Sequence, residues 1–295
     1  MSFYLLPFDH RTTFIKDILG YKTPLSKKQI EEIKKYKNII WEAFIRCYKK
    51  SKNKKDFGIL IDEEFGSEII KKAKKLGVVI AVAVEKSGQD IFDFEYGEKF
   101  GEHILKIRPS YSKVLVRYNP QNKKDNILQL KRLKRLNDFC YKNKIKLLFE
   151  LIVVPIKKRN NAGIKQGPQI AVNAIKEIRK FGIEPDLWKL EAMPKKRDWE
   201  KIINAIKQKN KKKVNIIVLG KGGSKRRVEE WLKTASFFPQ IIGFAIGRTI
   251  FIKPLQKFKN KKISKKEAVE EIKNNFTHFI KLWEKLHTKN LKINE

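Results

Sequence analysis

Cysteine is almost absent from this chain. Two residues, Cys47 and Cys140, occur in 295. Both fall inside helical apolar patterns with no metal-ligand spacing. That excludes a disulfide scaffold and reads as core thiols of a reducing compartment, the cytoplasm. Histidine is scarce too. His278 and His287 lie in the last helical pattern and His103 in another, which leaves His10 alone beside a strand-like run. A zinc centre built on converging histidines is not encoded in that way, so no metal and no cofactor are expected. No apolar run approaches the ~20 residues of a membrane span. The stretch from Met1 to Arg11 has no basic n-region and meets a charge at Asp9, so it does not read as a signal peptide. A Gly-x-Ser-x-Gly nucleophile elbow and a Gly-x-Gly-x-x-Gly dinucleotide fingerprint are both missing.

Acidic residues are in short supply as well, 32 against 68 basic ones, for a formal net charge of +36. Such a balance raises nucleic acid or an acidic membrane as partners. The positive residues, however, run the length of the chain and alternate with apolar ones at helical spacing, as in Lys71-Lys72-Ala73-Lys74-Lys75. They lack interleaved stacking aromatics. The charge therefore reads as the solvated outer face of amphipathic helices, with no membrane partner. A nucleic-acid-binding protein on a degenerate barrel is kept as an alternative. The composition fits a monomer and a homo-oligomer alike.

What is present is a regular alternation of short apolar runs and amphipathic stretches. The runs are Phe3–Phe8, Phe57–Ile61, Val78–Val84, Lys113–Tyr118, Ile145–Val154, Pro185–Glu191, Val214–Leu219 and Ile241–Ile246. Helical stretches follow Ser26 (with Gln29, a capping box), cover Ser67–Leu76, Gly97–Ile107, Lys124–Tyr141, the segment from Pro168 to Gly182, and Lys196–Gln208, and begin again after Ser224 and at Ser264. Eight such units over residues 1–295 predict an α/β fold, a single (β/α)8 TIM barrel in one domain. An open doubly wound sheet is the runner-up. The basic, Asn-rich stretch Pro155–Gly167 is the longest irregular one and is expected to be a lid.

In a barrel the chemistry gathers at the C-terminal strand ends, and polar residues recur there. Asp9 and Arg11 follow the first run, Asp62 and Glu63 the second, Glu85 and Lys86 the third. Lys113 and Arg117 lie in the fourth, Glu150 in the fifth, and Lys189 and Glu191 in the sixth. Strand alternation puts Leu187, Lys189 and Glu191 on one face, with Trp188 on the other. A lysine in low dielectric is a usable amine nucleophile. The reading centres on Lys189 as a Schiff-base former, Glu150 on the neighbouring strand as its proton shuttle, and Asp9 as a group that orients it or holds a substrate hydroxyl. Lys113, Arg117, Arg11 and Glu191 are the expected substrate contacts. Gly220, Gly222, Gly223 and Ser224 after the seventh run, with Gly247 and Arg248 after the eighth, read as a phosphate site: glycines admit backbone N–H groups to an anion, and a helix start and a guanidinium complete it. A Mg²⁺ lyase using Asp62, Glu63 and Glu85 is the enzyme alternative.

Several of these stretches, in order, resemble the class I tagatose 1,6-bisphosphate aldolases: Phe8-Asp9-His10-Arg11, Leu60–Gly66, Glu85-Lys86-Ser87-Gly88, Lys113-Val114-Leu115, Phe149-Glu150-Leu151, Leu187–Glu191 and Gly247-Arg248-Thr249. Residues 113–120, 185–191 and 243–249 look closer still to the aldolase-like domain fused to 5-dehydro-2-deoxygluconokinase in inositol catabolism. The resemblance implies a barrel aldolase with Lys189 as Schiff-base lysine, Glu150 as proton shuttle and Lys113 as a substrate-binding lysine. It also implies a phosphorylated sugar partner, 2-deoxy-5-keto-gluconate 6-phosphate, cleaved to dihydroxyacetone phosphate and malonate semialdehyde; another ketose-phosphate substrate is the nearest variant. His10 stands where the tagatose enzymes carry Gln, and Gly220-Lys221-Gly222 replaces their Ser-Ala-Gly pattern.

Overall fold

The structure is a computed structural model that describes residues 2–154, 168–207 and 215–293. The lid expected at 155–167 lies outside these residues. Eight parallel strands close into a barrel in sequence order: β1 (Phe3–Pro7), β2 (Phe57–Ile61), β3 (Val79–Ala83), β4 (Tyr111–Tyr118), β5 (Lys146–Val153), β6 (Leu187–Leu190), β7 (Ile216–Leu219) and β8 (Ile241–Ala245). Closure comes from β8 pairing with β1, Phe3 opposite Gly243 and Leu5 opposite Ala245. The fold is thus a single (β/α)8 TIM barrel, not an open sheet.

The two faces of each strand serve two cores. Inward side chains, among them Phe3, Leu5, Leu60, Leu148, Leu187 and Ile217, plug the barrel from within. Their neighbours, such as Tyr4, Ile59, Phe149 and Trp188, point outward against the helices in a larger apolar layer. The plug fills the N-terminal part of the barrel. Toward the C-terminal mouth the inward positions become Asp9, Lys113, Glu150 and Lys189, so polar groups begin where the apolar plug stops.

The helices are α1 (Lys27–Lys50), α2 (Glu63–Lys75), α3 (Phe100–Ile107), α4 (Lys123–Lys142), α5 (Pro168–Lys180), α6 (Lys196–Lys207), α7 (Lys225–Ala235), α8 (Arg248–Lys259) and α9 (Lys265–Ile293). The expected capping boxes are present at Ser26/Gln29 and Ser264/Glu267. Two expectations need correction. Helix α2 begins at Glu63 rather than Ser67, because the Asp62 carboxylate accepts from the Phe65 N–H at 2.8 Å and so caps the helix. The eighth barrel helix is α8, which starts directly at Arg248; the stretch from Ser264 is a ninth helix, packed across α1 and α8. A π-helical segment at Thr13–Ile18 was also not expected.

Candidate active site

Five inward-facing or strand-end residues meet at the barrel mouth. Strand β6 carries Lys189 two residues beyond the plugging Leu187, and its register places Lys189 opposite Glu150 of β5. Lys189 is 3% exposed, and its Nζ lies 2.9 Å from Glu150 Oε2. On β4, Lys113 shares the inward face. Its ammonium lies 2.9 Å from Asp9 Oδ2, 2.6 Å from Glu85 Oε1 and 3.1 Å from Glu150 Oε2. One carboxylate oxygen of Glu150 therefore serves two ammonium groups.

Burial alone would raise every carboxylate here and lower every ammonium. For Lys113 burial is overruled by Asp9, Glu85 and Glu150, which hold it well above the ordinary lysine range. Burial also works against the charge on Glu150, yet Lys189 and Lys113 prevail and hold its carboxyl below the usual value. Asp9 is likewise pulled down against its burial, chiefly by Lys113. Glu85 is the exception. Its burial, with Asp9 nearby, outweighs Lys113 and pushes it up. At neutral pH the network offers an ionised Glu150 in contact with the amine of Lys189, which is the arrangement a proton shuttle needs.

His10 follows Asp9. Burial lowers it to about 4, with Asp9 opposing and Lys189 and Arg248 adding to the effect, so its imidazole is neutral at pH 7. Its Nδ1 and the Asp9 Oδ1 are both buried without a hydrogen-bond partner among the described residues.

The remaining sequence candidates distribute around this centre. Arg11 donates to the Glu85 carbonyl at 2.6 Å and pairs with Glu95, so it ties the segment after β3 to the end of β1. Arg117 donates to the Gln89 carbonyl at 3.1 Å. The Glu191 carboxylate accepts from the Val153 N–H at 3.2 Å and pairs with Lys221. Glu191 lines an adjoining cavity of about 580 Å³, together with Met193, Leu219, Gly223 and Trp231. A smaller cavity, about 50 Å³, joins His10, Glu150 and Lys189 to Gly220, Gly222, Gly247 and Arg248. The loops after β7 and β8 thus share one recess with the Lys189 amine.

That rim is shaped by close approaches. Gly222 has φ +70°, and a Cβ there would lie 3.2 Å from the Arg248 guanidinium carbon, which rests over it. At Gly247 a Cβ would collide with the Pro7 carbonyl. Thr249 Oγ1 donates to the Gly223 carbonyl at 2.8 Å and ties the two loops. Ser224 caps α7 through the Arg227 N–H, at 3.4 Å.

Asp62 and Glu63 do not join the mouth. Asp62 pairs with Lys37, which is wholly buried and also donates to the Phe8 carbonyl at 2.8 Å. Glu63 faces His103, 3.2 Å away. Among the described residues, no three His, Cys, Asp or Glu side chains are grouped to hold a metal ion. Lys37 is not among the sequence candidates, although it occupies an apolar-stripe position with Ile33, Ile40 and Phe44. That spacing is the signal that marks it. No helix among the described residues is long and apolar enough to cross a membrane.

A family model described as "Uncharacterized protein conserved in bacteria", DUF2090, matches residues 2–287. The chain belongs to the DUF2090 family. No curated protein matches this DUF2090 chain in sequence. Its barrel is similar to a fructose-bisphosphate aldolase from Plasmodium falciparum, with TM-score 0.66 and 12% identity over 95% of this chain and 90% of that one. It is also similar to Cgl0159 from Corynebacterium glutamicum, with TM-score 0.60 and 12% identity over 93% and 85%. A third likeness is an archaeal fructose-1,6-bisphosphate aldolase whose catalytic lysine is covalently bound to the carbinolamine intermediate of its substrate. There the TM-score is 0.56 and the identity 14%, over 95% and 93% of the two chains. These likenesses establish the DUF2090 barrel as the same fold.

Proposed function

We propose that the protein is a class I aldolase that cleaves a phosphorylated keto sugar or keto sugar acid through a Schiff base on Lys189. The observation that carries this reading is the buried Lys189 amine, 2.9 Å from an ionised Glu150 carboxylate, in a recess shared with Gly220, Gly222, Gly247 and Arg248. The aldolases that share the fold, one of them trapped as a carbinolamine on its lysine, support it.

The chemistry runs as follows. Lys189 passes a proton to Glu150, and the freed amine adds to the substrate ketone. The carbinolamine then loses its hydroxyl as water, with the proton returned by Glu150, and an iminium remains. Glu150 next removes the proton of the hydroxyl beyond the bond to be cleaved. That carbon–carbon bond breaks, its electron pair moves to the iminium nitrogen as an enamine, and the aldehyde half departs. Protonation of the enamine carbon by Glu150 and hydrolysis of the imine release the ketone half and restore Lys189. Lys113 keeps Asp9 ionised and favours the return of Glu150 to its carboxylate form after each proton transfer. The phosphate is received by the Gly220–Ser224 turn, Gly247 and Arg248, where backbone N–H groups and a guanidinium meet an anion.

For the substrate we take 2-deoxy-5-keto-gluconate 6-phosphate, cleaved to dihydroxyacetone phosphate and malonate semialdehyde. This choice rests on the sequence resemblance of residues 113–120, 185–191 and 243–249. Borohydride reduction in the presence of dihydroxyacetone phosphate, followed by peptide mapping, tests the reading. An adduct on Lys189 that is lost in Lys189→Ala is expected. A folded protein that forms no adduct would sink amine catalysis.

A further inference from the structure

We propose that His10, together with Asp9, is the receptor for one substrate hydroxyl, the one on the carbon beside the imine carbon and on the side away from the phosphate. The inference rests on the aldolase reading and adds to it a specificity-determining residue.

Two buried polar atoms point to a missing partner. Asp9 Oδ1 and His10 Nδ1 lie 3.7 Å apart, and neither has a hydrogen bond to a described residue. The other oxygen of Asp9 is already taken by Lys113. Buried polar groups are ordinarily paired, by protein, water or ligand. Because burial keeps the imidazole neutral, these two side chains do not form an ion pair. Together they offer one anionic acceptor and one ring nitrogen that can carry a proton. A hydroxyl satisfies both: it donates to the Asp9 carboxylate and accepts from the imidazole N–H. A phosphate or carboxylate would be repelled by Asp9, and a cation would gain nothing from the N–H.

The position agrees with the chemistry. His10 shares its recess with Lys189, Glu150, Gly222, Gly247 and Arg248. A ketone phosphate with its anion on the β7–β8 loops and its carbonyl carbon on Lys189 has one direction left, past Glu150 toward the end of β1. The carbon met there carries the bond to be broken. A hydroxyl held on that carbon fixes rotation about its link to the imine. It thereby sets whether the cleaved bond lies parallel to the iminium π system, which cleavage requires.

The test uses the full chain and two ketones in borohydride trapping: dihydroxyacetone phosphate, and hydroxyacetone phosphate, which lacks only that hydroxyl. Wild-type protein should be trapped on Lys189 by dihydroxyacetone phosphate at a concentration about 10- to 100-fold lower. His10→Leu should bring the two ketones within about threefold of each other, whatever its absolute rates, while His10→Gln, with a donor and an acceptor, should keep most of the preference. If His10→Leu fails to fold by circular dichroism, His10→Ala is read by the same ratio. An unchanged preference in the variant, or none in the wild type, overturns the role of His10 and leaves the aldolase reading standing. No adduct with either ketone removes the aldolase reading, and this inference with it.

Discussion

Replacing Lys113 with Met tests the electrostatic account of the mouth most directly. Met keeps the length and apolar character of the lysine stem and deletes the ammonium. In the folded chain that ammonium contacts three carboxylates, on Asp9, Glu85 and Glu150. It is the partner that holds Asp9 down, and it helps Lys189 hold Glu150 down. Removal of one member of a buried ion pair costs about 3–5 kcal/mol, since the remaining charge is left uncompensated. For a domain of ordinary stability, about 5–15 kcal/mol, that is a large share. The pH dependence gives the sharper signature. In the wild type, Asp9 and Glu150 titrate below their unfolded values, so their contribution is present above those values and is lost as pH falls through the folded ones. In K113M Asp9 loses its chief cationic partner and Glu85 the cation that opposes its burial, so burial raises both, while Glu150 keeps Lys189; the folded variant then binds protons at Asp9 and Glu85 more readily than its unfolded form. Its stability then rises as pH falls. The deficit against wild type, measured by urea unfolding followed through tryptophan fluorescence, should be largest near pH 8 and shrink toward pH 5.5. A loss under about 1 kcal/mol, or an equal deficit at both pH values, would refute the argument.

Three further outcomes are expected. Gly247→Ala forces a methyl group into the Pro7 carbonyl at the β8–β1 seam and should cost about 1–3 kcal/mol; thermal unfolding checks the cost, and trapping with dihydroxyacetone phosphate should weaken as Arg248 is displaced. Lys37→Met strands the buried Asp62 carboxylate and frees the Phe8 carbonyl; about 3–5 kcal/mol should be lost at pH 7, whereas Lys37→Met with Asp62→Asn in one chain should recover part of it in a double-mutant cycle. His10 is lowered to about 4 from 6.5, so between those values the unfolded chain binds a proton that the folded chain refuses. Wild-type stability should fall with pH across that window, by on the order of 3 kcal/mol, and His10→Gln should lack that component in urea titrations from pH 7 to 4.5.

Much of this architecture was legible in the sequence because the barrel repeats its signals. Each apolar run became a strand, and the recurrence of charged residues at successive run ends located the mouth. Strand alternation and run order were enough to place Lys189 beside Glu150. What stayed hidden depends on depth and on partners across the barrel. Lys37 is one lysine in a helix full of them, and only its place in the Ile33–Ile40–Phe44 stripe sets it apart. The grip of Lys113 on Asp9 and Glu85 joins residues far apart in sequence, which no local pattern displays. The start of helix α2 is masked because Asp62, at a strand end, also caps the helix through the Phe65 N–H. Helix α8 is hard to see in the sequence because it starts directly at Arg248 and Pro254 interrupts its pattern.

The pairing of β8 with β1 has a consequence for how the chain comes into being. Asp9 and His10 are synthesised well before Gly247 and Arg248. Until β8 seats Gly243 against Phe3, β1 presents an unpaired edge and the recess lacks Ala245, Gly247 and Arg248. A nascent chain halted before residue 241 would hold seven strands with two open edges, a template for pairing with another chain. Such a product would carry Lys189 and Glu150 but lack Gly247 and Arg248. The seam that brings Gly247 and Arg248 beside His10 is also the pairing that removes the exposed edge.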